Sequence, residues 1–231
     1  MFVDKSMRKN VVTMGPDESI VKAKELMTTN KIRHIAIVEE DNTLIGIVSD
    51  RDIRSAMPSS CLPEVERKQE EERIGKTKIS EIMTRKPMTI SPTNTLEDAL
   101  LMMEKVRVGA FPVVDDKGKI VGMLSIRDLM RAFINVLGIH EPGRLLCILA
   151  DDKLGTTKKI VDAISEEKIP FGSILVARHW EEGKRAVFPY LLTVNVAHVK
   201  KKLEALGFKL LNPLEWNLDQ LPAAEEQKKE S

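Results

Sequence analysis

Gly46-Ile47-Val48-Ser49-Asp50-Arg51-Asp52 is written a second time, 76 positions further on, as Gly122-Met123-Leu124-Ser125-Ile126-Arg127-Asp128. The register holds outward from these two phrases without a gap. Met7/Met83, Thr13/Thr89, Pro16/Pro92, Ala23/Ala99, Met27/Met103 and Val38/Val114 are identical pairs, and Ile20/Leu96, Lys31/Arg107, Glu40/Asp116 and Ile45/Val121 exchange like for like. A repeat of this length means two copies of one supersecondary unit, each too small to bury a sufficient core alone. A Ser-x-Arg-Asp kept in both copies points to a duplicated binding element rather than a single catalytic centre.

Within a copy the pattern predicts strand, helix, strand, strand, helix. Val11–Met14 is a short extended piece ended by Gly15-Pro16, and Ser19 opens a helix carrying Ile20, Ala23, Leu26 and Met27 at helical spacing. His34–Val38 and Thr43–Val48 are rich in β-branched residues and flank an acidic turn, which reads as a hairpin. A short helix follows Ser49. Copy two repeats this with Leu96, Ala99, Met102 and Met103, then Ala110–Val114, a Lys117-Gly118 turn, Lys119–Leu124 and a helix after Ser125. The copies are placed at 1–57 and 76–138. Between them 58–75 is a charged insert, punctuated by Pro58 and Pro63, read as a linker with a solvated helical segment or as a disordered segment.

Beyond residue 138 the repeat stops. Arg144–Ala150 reads as a strand, Thr156–Glu167 as a helix, and Ser173–His179 with Arg185–Val194 as a hairpin. Asn195 is placed as the cap of a last helix, and Phe208–Leu211 as a last strand. The order βαββαβ over 142–214 predicts a ferredoxin-like domain, so the whole chain is α+β. Pro189 sits awkwardly in a strand that this topology makes central, because it lacks a ladder donor. The polar tail, 215–231, is left outside any domain.

Composition narrows the function classes. Lys+Arg 36 against Asp+Glu 35 creates no global basic field, so a nucleic-acid partner is not expected. Cys61 and Cys147 are far apart and read as reduced thiols, and neither a long apolar run nor a secretory leader is present, so a cytoplasmic location without a membrane partner is expected. His34, His140, His179 and His198 are scattered without metal-ligand spacing, so no metal is expected. Nothing pairs a nucleophile with a base, and the chain is not expected to be an enzyme.

Taken once, Ser49 with Asp52 three residues on is a helix capping box, worth about 1 kcal/mol. The repetition suggests more. Gly46 lets another surface approach the strand, a helix start attracts an anion, and a carboxylate can accept from both hydroxyls of a ribose. Arg51 and Arg127 could add a phosphate contact.

With these residues in view, the repeats resemble a tandem pair of cystathionine-β-synthase (CBS) domains, a Bateman module, whose ending Gly-apolar-apolar-Ser/Thr-x-x-Asp both copies satisfy. The resemblance implies a cleft between the copies for an adenosyl ligand, an adenine nucleotide or S-adenosylmethionine acting as a regulatory ligand with no obligatory cofactor. It makes Ser49 with Asp52, and Ser125 with Asp128, the phosphate- and ribose-contacting pairs. Thr13 and Thr89 fall where the family's first strand lines the site, while His34-Ile35-Ala36 and Ala110-Phe111-Pro112 fall where adenine is sandwiched. The last third resembles an ACT domain, with Asp151, Asp152 and Gly155 where that family has its effector loop and Leu154 in place of the usual proline. The whole order is similar to acetoin-utilisation (AcuB-type) proteins, which implies a regulatory role with a regulated partner protein; the resemblance to two module types that commonly associate implies a homodimer. The alternative is a dimerisation scaffold with decayed sites, suggested by the mismatch of Arg33-His34 against Gly109-Ala110.

Overall fold

The computed structural model describes residues 1–58, 63–64 and 73–211. Cys61, most of the charged insert and the tail 215–231 lie outside the described residues. The chain divides into two compact units, Met1–Arg131 and Ala132–Ser231.

In the first unit the repeat is visible residue by residue. Helix α1 is Val3–Ser6, strand β1 Thr13–Met14, helix α2 Ile20–Asn30, strand β2 His34–Val38, strand β3 Leu44–Ser49 and helix α3 Asp50–Ala56. Copy two supplies strand β4 Thr84–Arg85, helix α4 Leu96–Val106, strand β5 Ala110–Val114, strand β6 Ile120–Ser125 and helix α5 Ile126–Leu137. Ser19 caps α2 by accepting from Lys22 N–H, and Thr95 forms a capping box with Asp98 on α4. The helices bury Ile20, Ala23 and Met27 in one copy and Leu96, Ala99 and Met103 in the other, the same three positions of the repeat. Both helices end on a basic residue in the left-handed region, Lys31 at φ 52° and Arg107 at φ 55°.

Strand β2 lies between a parallel β1 and an antiparallel β3, so Ile35, Ala36 and Ile37 are buried without alternation. The fourth strand of that sheet is β4, which belongs in sequence to copy two: Gly46 pairs with Arg85 and Ile47 with Thr84. The reverse exchange completes the other sheet. Arg8 of copy one bridges Met123 on β6, and on the far side Ile90 bridges Val113 of β5 in parallel. Each copy thus lends its leading segment to its twin. The conserved glycines of the repeat make room for it: a Cβ on Gly46 would stand 2.5 Å from Met83 Sδ, and one on Gly122 would collide with Met7. The surface that approaches these strands is therefore the exchanged segment. Ile74 is buried in the core of copy one, so the end of the segment expected to be linker is packed there. The two hairpin turns also meet, Thr43 bridging Lys119, with Lys119 Nζ on the Asp41 carbonyl at 2.8 Å.

The second unit runs β7 Arg144–Leu145, β8 Ile148–Asp151, α6 Thr156–Glu166, β9 Phe171–Glu181, β10 Lys184–Leu191, α7 Ala197–Ala205 and β11 Lys209–Leu210. Its sheet is antiparallel, with β11, β8, β10 and β9 adjacent in that order and β7 also on β10. Ile160, Ala163 and Ile164 of α6 and Val199 and Leu203 of α7 bury against Ile148, Ala150, Val187 and Leu191 of the sheet.

Two local expectations are corrected here. Arg144–Ala150 is two strands instead of one, and the break falls opposite Pro189. An antiparallel residue turns its N–H and C=O to the same side; the Pro189 carbonyl accepts from Leu146 N–H at 3.0 Å, so its missing donor faces the same place. A central proline is accommodated by breaking the neighbouring strand there. Asn195 does not occupy the cap position of α7, which falls to Val196; its Oδ1 accepts from Ala197 N–H at 3.2 Å one step earlier. Burial pushes the Cys147 thiol up to about 11, which keeps it protonated and unreactive. Among the described residues no helix is long and apolar enough to cross a membrane.

Candidate functional site

The repeated Ser-x-x-Asp does its local work in both copies. Asp52 Oδ2 accepts from Ser49 N–H at 2.8 Å and from Ser49 Oγ at 2.6 Å, while Ser49 Oγ accepts from Asp52 N–H at 3.3 Å. The second copy matches it, with Asp128 Oδ2 3.0 Å from Ser125 N and 2.5 Å from Ser125 Oγ. One oxygen of each carboxylate is therefore committed to the cap. The other is what a ligand can use.

Here the copies part. Asp128 is 3% exposed, and its Oδ1 accepts from Arg8 Nε at 3.3 Å with Arg131 at 3.7 Å. Arg8 reaches it because the exchanged leading segment is pinned to β6 by two backbone bonds, Arg8 N–H to Met123 O and Met123 N–H to Arg8 O. The position equivalent to Arg8 in copy two is Thr84, whose short side chain carries no charge for Asp52.

A cleft of about 780 Å³, open mouth included, lies between the copies and is lined by residues of both. Copy two contributes Gly109, Ala110, Met123, Ser125, Ile126, Arg127 and Asp128; copy one contributes Arg8, Lys31, Ile32, Arg33 and His34. The cleft walls carry four cations against one carboxylate, and the N-terminal end of α5 adds a positive dipole end. An anion is the ligand charge these walls favour.

Of the residues singled out from sequence, Ser125, Arg127, Asp128, Ala110 and His34 come together in this cleft, and Ser49, Arg51 and Asp52 do not line it. His34 stands where copy two has Ala110, and its ring lies 3.6 Å from where a Gly109 Cβ would be. Burial pushes its imidazole below its ordinary range, with Asp52 pulling the other way, Arg33 adding to the depression and Asp50 opposing it. Ile35 and Phe111 are core side chains, fully buried, and Pro112 is buried with its carbonyl accepting from Ile90 N–H. Thr89 is half-buried outside the cleft. Thr13 edges a separate hollow with Asp17, Glu18, Glu39 and Glu40, whose acidity is unsuited to phosphate. In the second unit the acids of the expected effector loop are already paired, Asp151 with Lys184 and Lys153, Asp152 with Arg185. Gly155 takes φ 86° at the start of α6.

Arg8 and Lys31 were not legible as site residues, and Arg33 and Gly109 were noted only as a mismatch between the copies. Arg8 is far from Asp128 in sequence, and only the exchange of leading segments brings it there.

Comparison with known proteins agrees with the repeat. The model of the CBS domain matches residues 3–59 and 79–135. A CBS domain-containing protein of Dictyostelium discoideum is 34% identical over 140 residues, 59% of this chain and 94% of the relative. The crystal structure of a putative acetoin utilization protein (AcuB) from Vibrio cholerae is similar with TM-score 0.51 and 27% identity, covering 62% of this chain and 98% of that one. That of CBSX2 in complex with AMP gives TM-score 0.48 and 26% identity, covering 58% of this chain and 96% of that one. The enzymes among the relatives are longer: the chain spans 24% of a homoserine O-acetyltransferase of Methanococcus vannielii, 31% identical over 128 residues and 55% of this chain. With two copies of the fold and both repeats matched, the chain belongs to the family of CBS domain proteins.

Proposed function

We propose that this protein is a regulatory sensor whose cleft between the CBS copies takes an adenosyl ligand, an adenine nucleotide or S-adenosylmethionine. The observation that carries the reading is Asp128, a buried carboxylate with one oxygen fixed by the Ser125 cap and the other facing a cleft built by both copies. Ribose hydroxyls donate to that second oxygen in place of Arg8, the α5 N-terminus with Arg127 meets a phosphate, and the base lies toward Ala110 and His34. The occupied site is the one at copy two, because Ser49 and Asp52 stand outside the cleft and His34 fills the place of Ala110. Binding favours whichever arrangement of the copies holds the ligand better, and only that difference in affinity does regulatory work. Isothermal titration with AMP, ADP, ATP, S-adenosylmethionine and NAD tests this. Saturable binding of at least one adenosyl compound is expected, and the absence of heat from all five contradicts it.

The C-terminal unit we read as a ferredoxin-like, ACT-type domain. Its adjacent strands β11, β8, β10 and β9, with both helices packed on the sheet, support that reading. In this proposal the unit transmits the ligand's effect to a partner protein and contributes to a homodimer. Helix α5 carries ligand-facing residues at its start and the chain onward into this unit. The similarity to the AcuB structure supports an acetoin-utilisation type of role. Light scattering at graded concentrations, with and without AMP, reads the dimer.

A further inference from the structure

Asp128 as it stands cannot accept both hydroxyls of a ribose and keep Arg8, since three of its four acceptor sites are taken. Oδ2 belongs to the Ser125 cap, and Oδ1 is held by Arg8. A sugar that takes Oδ1 displaces the Arg8 guanidinium, whose backbone stays fixed on β6 while its side chain, 41% exposed, is free to turn. The released cation then sits in a cleft that already presents Lys31, Arg33 and Arg127. A ligand with a phosphate offers Arg8 a new counter-charge in place of the one lost. Adenosine and 5′-methylthioadenosine offer none, and S-adenosylmethionine adds a sulfonium cation.

We propose that Arg8 is the specificity-determining residue of this site, a cation that guards Asp128 when the cleft is empty and pairs with the ligand's phosphate when it is filled. The site then takes phosphorylated adenosyl compounds and discriminates against uncharged or cationic ones. The device belongs to one copy only, since Thr84 stands at the equivalent position beside copy one. This rests on the cleft being an adenosyl site, and deepens that reading by naming the ligand class.

The two halves of the role have opposite signs, which makes the test decisive. AMP and adenosine are titrated into wild type, Arg8→Gln and Arg8→Lys, each checked for an unchanged circular dichroism spectrum. Wild type prefers AMP. Arg8→Gln weakens AMP about tenfold or more, the worth of one charge-assisted contact, and leaves adenosine unchanged or tighter because Asp128 is freed. Arg8→Lys keeps the charge without the Nε–H and retains most of the preference, so a loss of fold is told apart from a loss of contact. Rising salt weakens AMP in wild type more than in Arg8→Gln. An AMP-to-adenosine ratio that is the same in wild type and Arg8→Gln overturns the assignment of Arg8 alone. A wild type that binds neither AMP nor adenosine overturns this proposal, and one that also binds none of ADP, ATP, S-adenosylmethionine and NAD overturns the adenosyl reading itself.

Discussion

Asp128 is asked to do two jobs, and each has its own measurable consequence. As the cap acceptor of α5 it satisfies two donors of Ser125; as the partner of Arg8 it neutralises a cation in the cleft. Replacing it with alanine leaves all three groups without their acceptor, and a loss of about 1–2 kcal/mol in unfolding free energy is expected by urea titration. Asp52→Ala removes only a cap and costs about 1 kcal/mol. The pair of variants therefore separates the site from the cap. His34 gives a second residue-scale prediction. Its folded-state pKa lies below the ordinary 6.5, so in the window between the two values the unfolded chain binds more protons than the folded one. Stability contributed by neutral His34 is present above pH 6.5 and is lost as pH falls from there through the folded value. Thermal melts of wild type against His34→Gln check it: the variant shows a shallower acid decline over that range, and parallel declines contradict the burial argument.

At the scale of elements, the exchanged leading segments hold the copies together, and glycine permits the exchange. Gly122→Ala pushes a methyl into Met7, and Gly46→Ala pushes one into Met83 with the Thr84 carbonyl 3.2 Å away. Each is expected to cost about 1–3 kcal/mol, the usual penalty of overpacking. Gly122→Ala also shifts the segment that carries Arg8, so it alone is expected to weaken ligand binding. Equal effects of both variants on binding contradict the one-sided site. Much of the helix starts, buried helix faces and hairpins was legible in the sequence because capping and periodicity are local: Ser19 caps α2 as expected, and the buried residues of α2 and α4 are three of the four that spacing picked out on each. Non-local events were not. Nothing near Pro189 says that β7 and β8 break to accommodate it, and nothing near Ile74 says that it is buried in copy one. The resemblance put Ile35 and Phe111 beside a ligand, but an apolar strand residue reads alike on either face, and both side chains are buried in the core.

For the whole molecule, duplication creates two equivalent carboxylates and divergence leaves one of them in the cleft. Ser49 with Asp52 and Ser125 with Asp128 are indistinguishable as sequence, and their difference comes from what the opposite copy lends: Arg8 to one, Thr84 to the other, with His34 against Gly109 between them. Near-zero net charge hides this, since the cleft gathers four cations that the surface balances elsewhere. The most direct measurement is titration of AMP into wild type, Asp128→Asn and Asp52→Asn. One AMP per chain is expected for wild type, with binding lost in Asp128→Asn and kept in Asp52→Asn. Wild-type affinity in Asp128→Asn, or loss confined to Asp52→Asn, contradicts the assignment of the cleft.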